Sequence, residues 1–288
     1  MTTTKHKPGP EAVVSPEFTR LLNCDEPLNL AEAALLIART EYPDLVIEDY
    51  LRQLDDIALV IAGRLPTPCT TPQLLGQINE YLFTDLRFEG NLDDFQNPQN
   101  SYFNDVLELR LGIPITLSLL YMEIGQRLGL SISGISFPGH FLVSLETDSG
   151  LIVLDPFAGG ISLDEADLWR RLEHVTAKAQ QMNFDLEALL QPATPEAILL
   201  RMLRNLKQIY HDRNDKERSL RILNLMLAIT PDAVSELEAR AELHERLNCF
   251  RAASDDFERL SLLAQTPHRS AQFASKGAEL RARALRLH

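Results

Sequence analysis

Gly112-Ile113-Pro114 opens a segment that runs apolar nearly all the way round to Leu128 and stops at Gly129. Leu117, Leu119, Leu120, Tyr121, Met122 and Ile124 leave no polar stripe on a 3.6-residue helix, and such a helix is stable only when other elements cover it. Directly after it the hydrophobic period changes from 3.6 to 2. Residues 132–137, 141–145 and 151–154 read as strands, and Thr147-Asp148-Ser149-Gly150 reads as the turn of a hairpin. A buried helix followed by a hairpin predicts a mixed α+β core with a small antiparallel sheet.

The flanks are helical. Residues 29–40 form an amphipathic helix with Asn29 as N-cap, and 47–63 form a second that closes at Gly63. The prolines of 65–72 exclude helix there, after which Thr71-Pro72 opens a third helix that runs to about residue 85. Residues 88–102 read as a polar connection and 104–110 as a short helical turn. Beyond about residue 195 come consecutive amphipathic segments at 197–211, 215–228, 233–247 and 251–263. Ile229-Thr230-Pro231 and Gln265-Thr266-Pro267 place their prolines 36 residues apart, close to the tetratricopeptide period of about 34 residues. Stacked repeats of that kind expose a concave groove suited to docking a protein or peptide; the plainer reading is that these helices cap the core. The organisation expected is a disordered 1–16, a unit of N-terminal helices plus core over 17–192, and a helical-repeat tail over 193–288.

With 28 Lys and Arg against 41 Asp and Glu, the net charge is −13. That field opposes a phosphate backbone or an anionic membrane surface, so neither nucleic acid nor membrane is the expected partner. No apolar run approaches the roughly 18 residues of a membrane span. Cys24, Cys69 and Cys249 are odd in number and far apart, with no spacing suited to zinc or to a disulfide framework. A reduced cytoplasmic setting is expected, with no metal and no cofactor.

The chemistry-bearing residues cluster around Phe137-Pro138-Gly139-His140 and Leu154-Asp155-Pro156. An antiparallel hairpin that pairs Glu146 with Leu151 pairs Leu142 with Asp155. His140 and Asp155 then share a face, two positions apart and within diagonal reach. A carboxylate there would fix the imidazole tautomer and stabilise its charged form. A slip of one residue would separate them, and strand-end chemistry is the plainer reading of Asp155-Pro156. Asn100 and Asn104 read as caps of the turn before the core helix or as contacts to a ligand near His140. Arg110 reads as an anchor for a carboxylate or as a structural ion pair.

Asn100-Ser-Tyr-Phe-Asn104-Asp-Val-Leu, Arg110-Leu-Gly-Ile-Pro114-Ile-Thr-Leu-Ser-Leu and Phe137-Pro-Gly-His-Phe-Leu142 together resemble the bacterial SirB-type family. The order of helix, strand, His140, hairpin and Asp155 resembles the transglutaminase-like superfamily more widely. The resemblance implies a papain-like core built for a Cys–His–Asp triad, followed by a tetratricopeptide-like tail, in a protein described as a regulator. It also implies a nucleophilic cysteine at the head of the core helix, where a helix dipole lowers a thiol's pKa. That position falls near Pro114, and no cysteine stands there. Thr116 and Ser118 are the nearest hydroxyls. Such residues inside an apolar helix usually bond a carbonyl one turn back, and activation by His140 is the alternative. Two functions therefore stand open. One is a regulatory pseudoenzyme that binds a protein through its tail. The other is a cysteine-independent amidohydrolase or acyl-transfer enzyme working through His140 and Asp155.

Overall fold

The computed structural model describes residues 14–175 and 185–286. Most of the stretch expected to be disordered, 1–13, lies outside the described residues; Ser15 caps α1 (Pro16–Leu22) by accepting from the Phe18 amide. The chain packs as two compact units. One is Cys24–Met202, and the other joins α1 to the helices from Leu203 on.

In the first unit, α2 (Leu30–Ala38) is capped by Asn29, whose Oδ1 accepts from the Glu32 amide at 3.0 Å. Its alanines and leucines are buried throughout. Next come α3 (Ile47–Arg64) and α4 (Thr71–Asn79), with Thr70 and Gln73 forming a reciprocal cap. The helix predicted to reach residue 85 does so by widening into a π-helical turn, Glu80–Asp85. The polar connection contains a feature the sequence did not show. Its residues Glu89–Gly90, β1, pair in parallel with Leu111–Gly112, β2, across the short helix α5 (Phe103–Leu109). Two-residue strands carry no readable period.

The apolar helix is α6 (Pro114–Arg127), buried continuously from Ile115 to Gly125. Pro114 sits in its first turn and the left-handed Gly129 follows its end. A Cβ on Gly125 would lie 2.4 Å from Ile132 Cδ1, so glycine is what lets the first strand of the sheet approach. That sheet is antiparallel throughout, in the order β3 (Ile132–Ile135), β4 (Leu142–Thr147), β5 (Gly150–Asp155), β6 (Ile161–Leu163). Glu146 faces Leu151 and Val143 faces Leu154, the register expected from the sequence. The strands run further than predicted, to Thr147 and Gly150, and leave Asp148-Ser149 as the hairpin loop. The helix α7 (Glu165–Val175) lays Leu168 and Leu172 on Ile135, Phe137, Leu142 and Val153, with Trp169 half-buried beside them. The short α8 (Leu186–Leu189) follows. The protein thus has an α+β fold with N-terminal helices, a small sheet core and a C-terminal helical tail.

Next is α9 (Pro195–Asp212), at whose Leu203 the second unit begins. That unit continues with α10 (Lys216–Ile229), α11 (Val234–Arg246), α12 (Phe250–Leu263) and α13 (Pro267–Arg286). Leu237, Ala241, Phe250, Ala253, Phe257, Leu260, Phe273 and Leu280 interdigitate as its core. Arg240 of α11 spans to Asp256 of α12 through two contacts, at 2.6 and 3.0 Å, and to Asn224 of α10 at 2.9 Å. His244 of α11 is buried, with Nε2 3.9 Å from Asp256 Oδ2.

Candidate functional site

Asp155 ends β5, and the chain turns at once into a 3-10 turn, Pro156–Ala158. Proline in that first turn removes one donor. The amides of Phe157 and Ala158 remain and donate to Asp155 Oδ1 at 3.0 and 3.3 Å. The same oxygen lies 3.0 Å from His140 Nε2. His140 stands just before β4, at the end of a turn in which its amide donates to the Phe137 carbonyl and Gly139 takes the left-handed conformation. The hairpin register therefore does what the sequence argument asked of it. Asp155 is fully buried and the His140 side chain is 15% exposed, so the pair has a closed end and an open end.

A third member was not expected from the sequence. Arg171 on α7 places Nη2 2.6 Å from Asp155 Oδ2, a charge contact without hydrogen-bond alignment. Arg171 lies three residues after Leu168 and one before Leu172, so it shares the face that covers the sheet. The Phe157 ring meets the His140 ring edge-on at 5.8 Å, and Phe95 meets Phe157 in the same manner at 6.5 Å. Gly90 admits Phe157, since a Cβ there would lie 2.3 Å from the ring.

The other candidate residues hold structure around this group. Thr116 Oγ1 accepts from the Ile113 amide at 3.0 Å and lies 2.8 Å from the Asn100 carbonyl, so it caps α6. Ser118 Oγ donates to the Phe141 carbonyl at 3.4 Å, tying α6 to the start of β4. Neither hydroxyl has His140 among its hydrogen-bond partners in the described residues. Asn100 is buried and organises the loop that carries Phe95. Its Nδ2 donates to the Asp94 carbonyl at 2.7 Å and its Oδ1 accepts from Asn91 Nδ2 at 3.0 Å. Asn104 is also buried. Its Nδ2 donates to Asp105 Oδ1 at 3.2 Å, while its Oδ1 is left without a partner. Among the described residues Arg110 makes neither an ion pair nor a carboxylate contact. It adopts the left-handed conformation that ends α5 and donates from Nη1 to the Leu86 carbonyl at 2.8 Å.

Burial lifts Asp105 above the ordinary carboxylate range, aided by Glu108 and Glu41 and opposed by the Tyr42 hydroxyl, which donates at 2.6 Å. Burial also lifts Tyr42, reinforced by that same carboxylate. Cys24 and Cys69 are exposed and Cys249 is half-buried; none lies at the head of α6. Among the described residues no group of three or more His, Cys, Asp or Glu side chains is arranged to hold a metal ion, and no helix is long and apolar enough to cross a membrane. In the second unit, Val14, Asn224, Leu227, Arg240, His244 and Ala252 line part of a cavity of about 490 Å³.

Residues 48–204 match the model of the transglutaminase-like superfamily, and residues 206–276 match a tetratricopeptide repeat. A UPF0162 protein of Xylella fastidiosa is 36% identical over 244 residues, which is 85% of this chain and 87% of the relative. A UPF0162 protein of Pseudomonas aeruginosa is 31% identical over 268 residues, 90% of this chain and 94% of the relative. Protein SirB1 of Salmonella typhimurium is 25% identical over 245 residues, 83% of this chain and 86% of the relative. No solved structure matches.

Proposed function

The chain belongs to the transglutaminase-like superfamily and to the UPF0162 proteins, and from that membership we propose that it is a regulatory scaffold that docks a protein partner through its helical tail. The supporting observation is the head of α6. A thiolate would be stabilised there by the helix dipole, but the helix opens with Pro114, and the first hydroxyl after it, Thr116, is consumed in capping. A superfamily core without its nucleophile keeps a shaped cleft and loses acyl transfer. Tetratricopeptide-like helices typically dock protein segments, and a cavity of about 490 Å³ opens among α10, α11 and α12.

The test is partner capture by crosslinking with the full-length chain. Ala252→Trp fills that cavity and is expected to abolish capture, whereas His140→Ala is expected to leave it intact. Turnover of an amide or ester substrate that disappears in His140→Ala would sink the scaffold reading.

One observation favours a second reading. His140 Nε2 is committed to Asp155, and Nδ1 takes no part in the hydrogen bonds among the described residues. An imidazole so oriented is a general base for a water or a substrate hydroxyl. The same His140→Ala variant decides between the two.

A further inference from the structure

The loop that follows β1 is fastened from inside. Asn100, 2% exposed, donates from Nδ2 to the Asp94 carbonyl at 2.7 Å and to the Phe95 carbonyl at 3.4 Å, and its Oδ1 accepts from Asn91 Nδ2 at 3.0 Å. Asn91 Oδ1 in turn accepts from the Asp94 amide at 3.0 Å, and the Asn91 amide donates to the Gly112 carbonyl of β2 at 3.0 Å. Asn97 closes the loop by donating from Nδ2 to Asp94 Oδ2 at 3.1 Å. A buried carboxamide is tolerated only when its polar atoms are matched, and both ends of Asn100 are spent on holding this loop.

What the loop presents is apolar. Leu92 is 76% exposed and Phe95 49% exposed. Large apolar side chains scattered singly over a surface need no explanation. These two stand three residues apart on a fastened loop, and Phe95 is the outer ring of a row. It meets Phe157 edge-on, and Phe157 meets His140 edge-on. The charge beside them has one sign. Asp93 and Asp94 lie between Leu92 and Phe95, both exposed, and no Lys or Arg occurs between Arg87 and Arg110. Asp93 forms no ion pair among the described residues. A second copy of this chain would bring like charges against these acids and be repelled.

We propose that Leu92 and Phe95 form a docking surface for a segment of a partner protein that carries an aromatic or long aliphatic side chain beside a lysine or arginine. The apolar side chain covers Leu92 and the exposed part of the Phe95 ring, and the cation meets Asp93. The bound segment then lies one ring away from the His140–Asp155 pair. The surface is built by the unit Cys24–Met202 alone, so it stands apart from the tail cavity and rests on neither reading given above.

The experiment pans phage displaying random seven-residue peptides on the immobilised full-length chain. The enriched peptide is then made with a fluorescent label and titrated by anisotropy. The enriched sequences are expected to place Phe, Tyr, Trp, Leu, Ile or Met within two positions of Lys or Arg. Phe95→Ser should weaken the labelled peptide by about tenfold, as loss of a central apolar anchor does. Asp93→Asn should weaken it by about threefold, the effect of an exposed ion pair. Leu262→Ser removes an apolar side chain that is 85% exposed in the other unit, and should bind as the native chain does. Leu92→Ser reports on the same surface from a more exposed position, so a Phe95→Ser chain that loosens its loop leaves the test standing. No enrichment, enriched peptides without a cation, or an affinity left unchanged by both Phe95→Ser and Leu92→Ser overturns the proposal. Partner capture that fails in Ala252→Trp bears on the tail and leaves this result untouched.

Discussion

Asp105 illustrates how a single buried carboxyl shapes stability here. Its Oδ2 accepts from Tyr42 and its Oδ1 from Asn104, yet burial still lifts it above the usual range. A carboxyl whose folded value lies above its unfolded value holds more protons in the native state. Stability therefore falls as pH rises from the unfolded value through the folded one. Asp105→Asn removes this dependence. The new amide can keep accepting from Tyr42 through its oxygen and donate to Asn104 once that amide turns over, which leaves Asn104 with one unpaired atom as before. The variant is expected to be as stable as the native chain or up to about 1 kcal/mol more stable at neutral pH, with the gap closing below pH 4. Thermal melts across that range measure it, and a gap that widens on acidification would reverse the sign. Thr116 gives the opposite case. Thr116→Val keeps the shape but leaves the Ile113 amide and the Asn100 carbonyl without their partner, at a cost of about 2 kcal/mol. Thr116→Ser should recover most of that in denaturant unfolding.

Among the elements, the meeting of β1 with the turn after β5 carries the site. Gly90→Ala would drive a Cβ into the Phe157 ring. A displaced ring costs about 1–3 kcal/mol and removes the aromatic wall beside His140. Urea unfolding should show the loss, and the His140 ring-proton shifts should move with it, because the ring current of Phe157 acts at 5.8 Å. Elements with a long period were legible in the sequence. The apolar α6, the amphipathic α3 and the hairpin each repeat their pattern often enough to fix type and register, and the register alone brought His140 to Asp155. The two-residue pair β1–β2 and the three-residue β6 were not legible, since a period cannot be read from so few positions. Arg171 escaped for a different reason. It sits on a helix outside the hairpin, where no register ties it to Asp155, and no local pattern tells an arginine that meets a buried carboxylate from one that meets water. Arg110 shows the same limit from the other side, its role being set by the left-handed turn that aims it at a carbonyl.

For the whole molecule, charge is divided unevenly. The unit Cys24–Met202 carries 10 Lys and Arg against 27 Asp and Glu, a net of −17, so the rest of the chain is net positive within a total of −13. A compact unit with so much charge of one sign is destabilised by self-repulsion. Trp169 is the single tryptophan, and it packs on the sheet of that unit, so its fluorescence follows the acidic unit specifically. Raising salt from about 0.01 M to 0.15 M shortens the screening length from about 30 Å to 8 Å. The Trp169 transition should move up by about 2–4 °C, as a gain of about 1 kcal/mol implies for a unit of this size. The comparison that isolates the cause is removal of exposed acids that hold no structure. Asp56→Asn combined with Asp93→Asn should raise the low-salt transition and flatten its salt slope. If salt leaves the native transition in place, the local ion pairs such as Arg127 with Glu123 and Arg171 with Asp155 already balance the unit. The net charge would then act outside the fold, and the salt dependence should appear in the rate of partner capture instead.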